Sequence, residues 1–255
     1  MGDPTQGIRR ASLVVAEGDS APVKPPAKTK GAGQGSAAPT SPPPSVVKDS
    51  KPGRKGEIEI AEANKKRPRY ESFSLTPDNT RGVLQHEYLV VTSGAKQNQL
   101  ATYGAGPCVI IALWNPDAKK AGLAHVDSDT NNESVRGFVK QVVSGAKDGT
   151  KIKVHLAGGD SLSIDLQATL LDEIKSNPAL ELVSADLGPS FDYVGGQSLA
   201  ISSTTGKISS SVDASMIDEG RNSASRLLSV GVGCSYLRRV PEQFFKHPEK
   251  SKGPR

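Results

Sequence analysis

The sequence predicts an α+β domain in which β-sheets form a layered sandwich with flanking helices, preceded by a long segment that does not pack. Three observations carry this reading: a series of short apolar runs of strand length, two helix-length segments among them, and turn residues at the junctions. Strands are expected near Gln85–Thr92, Leu100–Tyr103, Val109–Trp114, Leu123–Val126, Lys151–Leu156, Leu180–Ser184 and Leu199–Ser203, with helices over about 133–147 and 164–176.

In chain order, the leader comes first. From Ala21 to Arg54 the residues are mainly Pro, Ala, Lys, Ser and Gly, too poor in large apolar side chains to offset chain entropy by burial. Residues 1–72 are therefore expected to be a disordered, basic leader, residues 73–212 the folded domain, and residues 213–255 a partly helical extension. In the extension, Ser215 to Leu228 is the helical part and 246–255 are loose. Within the domain, Cys108-Val-Ile-Ile-Ala-Leu-Trp114 and Ala121-Gly-Leu-Ala-His-Val126 read as the arms of a hairpin turning through Asn115-Pro-Asp-Ala-Lys-Lys120. Asp127-Ser-Asp-Thr-Asn-Asn132 makes a turn that starts the next helix. In Lys151–Leu156 the apolar Ile152, Val154 and Leu156 alternate with Lys151, Lys153 and His155, which places His155 on a solvated lysine face. Thr205-Gly206 turns the last long strand into a closing one over Lys207–Val212.

The chain of 255 residues carries 32 Lys/Arg and 27 Asp/Glu, a net charge of +5. The first 72 residues hold 13 basic and 8 acidic side chains and the rest hold 19 of each, so the excess belongs to the leader. The folded part has no basic bias, and five Phe, five Tyr and one Trp are too few for a base-stacking platform, so nucleic acid is not an expected partner. There is no secretory apolar segment or membrane-spanning run, and no membrane partner is expected. Gln6 stands where a myristoylation signal wants Ser or Thr. Two cysteines, Cys108 and Cys234, make no disulfide framework. With no Cys-x-x-Cys or His-x-x-x-His spacing, neither a metal nor another cofactor is expected.

Cys108 and His125 carry the chemistry. If the hairpin turns about Pro116 and Asp117, Cys108 falls opposite His125, Val109 opposite Ala124 and Ile110 opposite Leu123. A thiol beside an imidazole is the minimum apparatus of nucleophilic catalysis. The bland readings are a cysteine serving as a small core hydrophobe and a histidine satisfied within a strand. Gly104 and Gly106, in Thr102-Tyr-Gly-Ala-Gly-Pro-Cys108, leave backbone open to a substrate carbonyl, and the Cys108 N–H can serve an oxyanion. His86 and His247 have no nucleophile at motif spacing, and Asp127 with Asp129 reads as a turn rather than a cation loop.

The series Thr102, Gly104-Ala-Gly-Pro-Cys108-Val109, Asn115-Pro-Asp-Ala-Lys119 and Gly122-Leu-Ala-His125 resembles the bacterial chemoreceptor glutamine deamidase (CheD) family over roughly residues 83–212. Val154-His-Leu-Ala-Gly-Gly159 is similar to eukaryotic protein N-terminal asparagine amidohydrolase, which attacks the same functional group. The chain departs from the first pattern at Pro107, where that family has Ser, and at Val126-Asp-Ser-Asp129 after the histidine. The resemblance implies a protein-glutamine deamidase: Cys108 as nucleophile, His125 as base and then acid, and Thr102 orienting the imidazole or the amide. Its substrate is a protein carrying a target Gln or Asn. A long unfolded leader ahead of such a domain fits a bacterial effector exported into a host cell, and the basic run Lys65-Lys-Arg-Pro-Arg69 is of the nuclear-import type. The alternatives are an inactive binding module on the same fold, an N-terminal Asn amidohydrolase and a thiol protease.

Overall fold

The structure is a computed structural model, described here for residues 52–188, 196–219, 236–241 and 245. Two sheets stack between helices. The larger has six strands in the order β10-β2-β5-β4-β6-β7: β2 (Glu87–Thr92), β4 (Val109–Asn115), β5 (Lys120–Val126), β6 (Ile152–Gly158), β7 (Leu180–Leu187) and β10 (Arg238–Arg239). The smaller has the order β1-β3-β8-β9: β1 (Thr80–Gly82), β3 (Gln99–Ala105), β8 (Gln197–Ser202) and β9 (Ile208–Ser209). Helices α1 (Pro52–Ala63), α2 (Asn132–Val143) and α3 (Ile164–Ser176) pack on the outer face of the large sheet, and α4 (Ala214–Glu219) on that of the small one.

Alternation along the strands builds both cores. In β4, Val109, Ile111 and Leu113 point to the helices, while Ile110 and Ala112 point with Cys108 to the inter-sheet core, where Leu89, Leu123, Leu199 and Ile201 meet them. Burial on both faces is why this strand reads as one unbroken apolar run. Helix α2 buries Val135, Phe138 and Val142, one apolar stripe at helical spacing, over Gly122, whose bare Cα lets the Phe138 ring rest on β5. Its first turn is capped by the Asn131 side chain, which accepts from Ser134 N–H at 2.8 Å. Helix α3 buries Gln167, Leu170, Leu171 and Ile174 in the same manner.

The expected α+β layering is present, with several local corrections. The hairpin turns through a four-residue loop, Pro116–Lys119, with Asn115 paired to Lys120 and Ile110, not Cys108, paired to His125. A two-residue turn centred on Pro116–Asp117 would need positive φ where the proline ring forbids it. Instead the Asn115 carboxamide accepts from the N–H groups of Asp117 and Ala118, and Lys119 takes the left-handed conformation at φ 42°. Because the register moves by an even number of residues, Cys108 and His125 keep the inner face.

His155 is buried, 7% exposed, and bonded to Ser184 rather than solvated, because the lysine face of β6 turns toward the small sheet. Helix α1 and the segment after it lie inside the stretch expected to be disordered. Gly56, Ile60 and Ala63 form a seam against α3, a stripe too small-sided to stand out by composition. Short edge strands β1 and β10 were not expected, and α2 ends at Val143 rather than 147. Residues 1–51, Cys234, His247 and most of the helix expected over Ser215 to Leu228 lie outside the described residues.

Candidate active site

The site lies where the two sheets approach each other at the Cys108 end of β4. Continuing the β4–β5 register by one residue sets Cys108 opposite Asp127, and the Cys108 Sγ lies 3.8 Å from Asp127 Oδ2. His125 is then a diagonal neighbour of the cysteine on the same face, a relation that spans about 7–8 Å between Cα atoms. The expected face-to-face pair of Cys108 with His125 is thus a pair of Cys108 with Asp127, and the imidazole stands one diagonal step away.

Thr102 comes from the other sheet. Its Oγ1 lies 2.9 Å from His125 Nδ1, and both groups are buried, at 0% and 3% exposure. When Nδ1–H donates to this hydroxyl, Nε2 carries the lone pair that a base requires. Burial drives the His125 pKa down to about 4 against the attraction of Asp127, so the ring is neutral at pH 7. The thiol moves the other way: burial first, then the Asp127 charge and hydrogen bond, then Asp160, push Cys108 up to about 12. In the free protein Cys108 is a protonated thiol.

Asp127 is ionised. Its pKa is lowered despite partial burial, because Ser128, Gln85 and the nearby His86 favour the carboxylate. Gln85 Nε2 donates to Oδ2, Ser128 Oγ to Oδ1 at 2.9 Å, and His86 Nε2 stands 3.6 Å from Oδ2. His86 is fixed by its backbone, whose N–H donates to the His125 carbonyl at 3.0 Å, and it adopts φ 62°. Among the described residues its buried Nδ1 has no hydrogen-bond partner, so a left-handed backbone and an unpaired nitrogen occur together beside the carboxylate.

The glycine approach takes a different form from the open segment expected. Gly104 belongs to β3, at φ 76°, and the Gly106 N–H donates to the Gly104 carbonyl at 3.1 Å. Gly106 N–H is thus already engaged, and Pro107 has no N–H to offer. Gly158, at φ 91°, closes the site from β6. A Cβ there would stand 2.6 Å from the Cys108 carbonyl oxygen, and the neighbouring Gly159 N–H donates to that oxygen at 2.7 Å. Gly158 N–H in turn donates to Gln197 Oε1 at 3.0 Å.

Thr102 and His125 are thus in direct contact, Cys108 is bonded to Asp127, and the cysteine stands one diagonal step from the imidazole. Sequence reasoning missed Asp127, Gln85, His86 and Asp160. The turn chemistry of Asn115-Pro116 held the signal for Asp127, since a four-residue loop alone sets it opposite the thiol. Among the described residues, no three His, Cys, Asp or Glu side chains are grouped to hold a metal ion.

Residues 71–190 match the family model for protein N-terminal asparagine amidohydrolase. The matched segment contains Thr102, Cys108, His125, Asp127 and Asp160, and the chemistry of that family is hydrolysis of a carboxamide C–N bond. No curated protein sequence matches the chain.

Proposed function

We propose that the chain hydrolyses the side-chain carboxamide of an asparagine at the amino terminus of a protein or peptide, giving aspartate and ammonia. The observation that carries this reading is the Asp127 carboxylate 3.8 Å from the thiol, a place for the substrate's α-ammonium beside the nucleophile. In asparagine the carboxamide carbon is three bonds from the α-nitrogen, about 3–4 Å away, which matches the distance from Asp127 to Sγ. Glutamine is one bond longer, and an internal Gln or Asn brings no ammonium. The reading therefore favours an amino-terminal Asn over the protein-glutamine substrate.

In the free protein burial first, and then the neighbouring carboxylates, suppress ionisation of Cys108. An ammonium seated on Asp127 neutralises the carboxylate, and the thiol proton passes to neutral His125 as sulfur attacks the carboxamide carbon. The oxyanion so formed takes the Cys108 N–H. As the C–N bond breaks, the imidazolium returns its proton to the leaving ammonia, and a thioester remains. Water, deprotonated by His125, adds to the thioester, the C–S bond breaks, and the thiol is regained with the aspartate product. Thr102 is a positioning residue, holding the His125 tautomer from the opposite sheet.

The test is ammonia release from four synthetic peptides: amino-terminal Asn, the same peptide acetylated, amino-terminal Gln, and one with an internal Gln. Cys108→Ala serves as the control. Turnover of the first alone supports the proposal, whereas turnover of the internal Gln without the first overturns it, and fragmentation of the backbone marks a thiol protease. Delivery into a host cell as a secreted effector is a separate proposal resting on the composition of the leader. Retention of the tagged full chain by the producing bacterium during host contact overturns it.

A further inference from the structure

The basic run Lys65-Lys-Arg-Pro-Arg69 is not a free peptide. The Asn64 carboxamide bonds the backbone of Leu187, Ala185 N–H donates to the Lys66 carbonyl at 2.9 Å, and Lys66 Nζ donates to the Leu182 carbonyl at 2.8 Å. The chain then leaves edge strand β7 and crosses to the small sheet, where Glu71 N–H donates to the Ile208 carbonyl at 2.8 Å. This segment bridges the open edge of the sandwich. Beside it lies a cavity of about 240 Å³, lined by Arg67, Arg69, Glu71, His155, Ser184 and Lys207 among others.

The chemistry of that cavity is one-sided. Three cations face one carboxylate, and Glu71 is already joined to Lys207 at 2.5 Å. Two buried polar side chains also line it, His155 at 7% and Ser184 at 2% exposure, with His155 Nδ1 2.8 Å from Ser184 Oγ. Buried polar groups are costly unless hydrogen-bonded, and these two satisfy one another at the wall of the cavity. His155 plays no part in the proposed amide chemistry, which the Cys108 cluster accounts for without it.

We propose that this cavity binds a phosphate group. The two guanidinium groups suit the paired oxygens of a phosphate, Lys207, shared with Glu71, adds a further positive charge, and the bonded His155–Ser184 pair has one neutral donor left for a remaining oxygen, Nε2–H or the hydroxyl according to the tautomer. A carboxylate has too few oxygens to occupy so many donors. The site does not depend on the amide-hydrolysis reading and uses none of its residues.

Calorimetric titration of the full chain at low salt, with inorganic phosphate, O-phosphoserine, sulfate and acetate as separate probes, tests it. Saturable binding of inorganic phosphate or O-phosphoserine is expected. Binding should weaken about tenfold or more in Arg67→Ala and Arg69→Ala, each an exposed residue whose loss leaves the core intact. The ring resonances of His155 should shift along the same isotherm. Binding by inorganic phosphate but not O-phosphoserine assigns the site to the free ion, and binding of both to a phosphomonoester as well. Absence of saturable binding, acetate binding as tightly as phosphate, or affinity unchanged in both arginine variants would overturn the proposal.

Discussion

Replacing Asp127 by Asn separates thiol reactivity from catalysis. The carboxylate stands 3.8 Å from Sγ, and a unit charge at that distance is worth about 1 kcal/mol in water and about 4 at an effective dielectric constant of 20. That span equals about 1–3 pKa units, but burial is the largest cause of a rise from 9.0 to about 12, so loss of the carboxylate should lower the thiol by about 1–2 units. Burial persists, so the pKa stays above an ordinary cysteine's. At pH 8 the thiolate fraction rises about 10- to 100-fold while its intrinsic nucleophilicity falls, leaving a net gain of about 3- to 15-fold in alkylation rate. Iodoacetamide labelling of the Cys108 peptide, followed by mass spectrometry, measures this directly. The same variant should lose about 100-fold or more in kcat/KM on an amino-terminal Asn peptide, because the ammonium has lost its counter-charge. A faster-reacting thiol in a poorer enzyme is the signature of a substrate-binding carboxylate. Alkylation slowed or unchanged in Asp127→Asn would refute the reasoning.

Three further outcomes follow from the same geometry. Thr102→Val leaves the buried Nδ1 of His125 unpaired, at a cost of about 1–3 kcal/mol in urea denaturation and a fall in kcat that Thr102→Ser restores; a fall that Ser does not restore assigns Thr102 to packing. Gly158→Ala forces a side chain into φ 91° against the Cys108 carbonyl and should cost at least about 1–2 kcal/mol, whereas Gly137→Ala, exposed in α2 with no atom within 4 Å, should stabilise by roughly 0.5–1. For pH, two histidines have folded-state pKa values well below their unfolded ones. His125 and His155, both lowered to about 4, contribute stability that is full above about 6.5 and is lost as pH falls toward 4, by up to roughly 3 kcal/mol each. Urea midpoints at pH 7 and 4.5 check this, and equal midpoints would contradict it.

Much of the fold was legible because burial on two faces leaves a strong trace. The unbroken apolar run of β4, the alternation in β6 and the stripes of α2 and α3 each have one reading. What escaped has a physical cause in each case. Helix α1 packs through glycine and alanine, whose small surface hardly raises local hydropathy, and its stability comes from α3 rather than from its own residues. β1 and β10 are short parallel edge pairings determined by distant partners. His155 followed the lysines on its face, but a second sheet covered that face, which no local pattern encodes. At the site, the common face of Cys108 and His125 followed from the hairpin pattern, and the contact of Thr102 with His125 agrees with the motif. Asp127 was not legible, since one turn assignment moved it from opposite the thiol to the start of a helix.

That carboxylate also explains why the nucleophile sits inside a sandwich instead of on a loop. A cysteine in water with a solvated histidine reacts with any electrophile, amide-bearing or not. At the junction of the two sheets, burial lowers the imidazole to about 4, so the base is free of its proton across the physiological range, while burial and Asp127 hold the thiol protonated. The site therefore waits for a positive charge. An amino-terminal residue supplies one near its own pKa of about 7.7–8.0, so kcat/KM should fall above about pH 8 as the α-ammonium is lost and below about pH 4 as His125 gains its proton. An α-acetylated substrate has no ammonium to give, and an internal amide has none at any pH. On the reading proposed above, selectivity comes from a substrate charge that offsets Asp127 and eases ionisation of the thiol, and a pH profile without the upper limb would show that no such charge takes part.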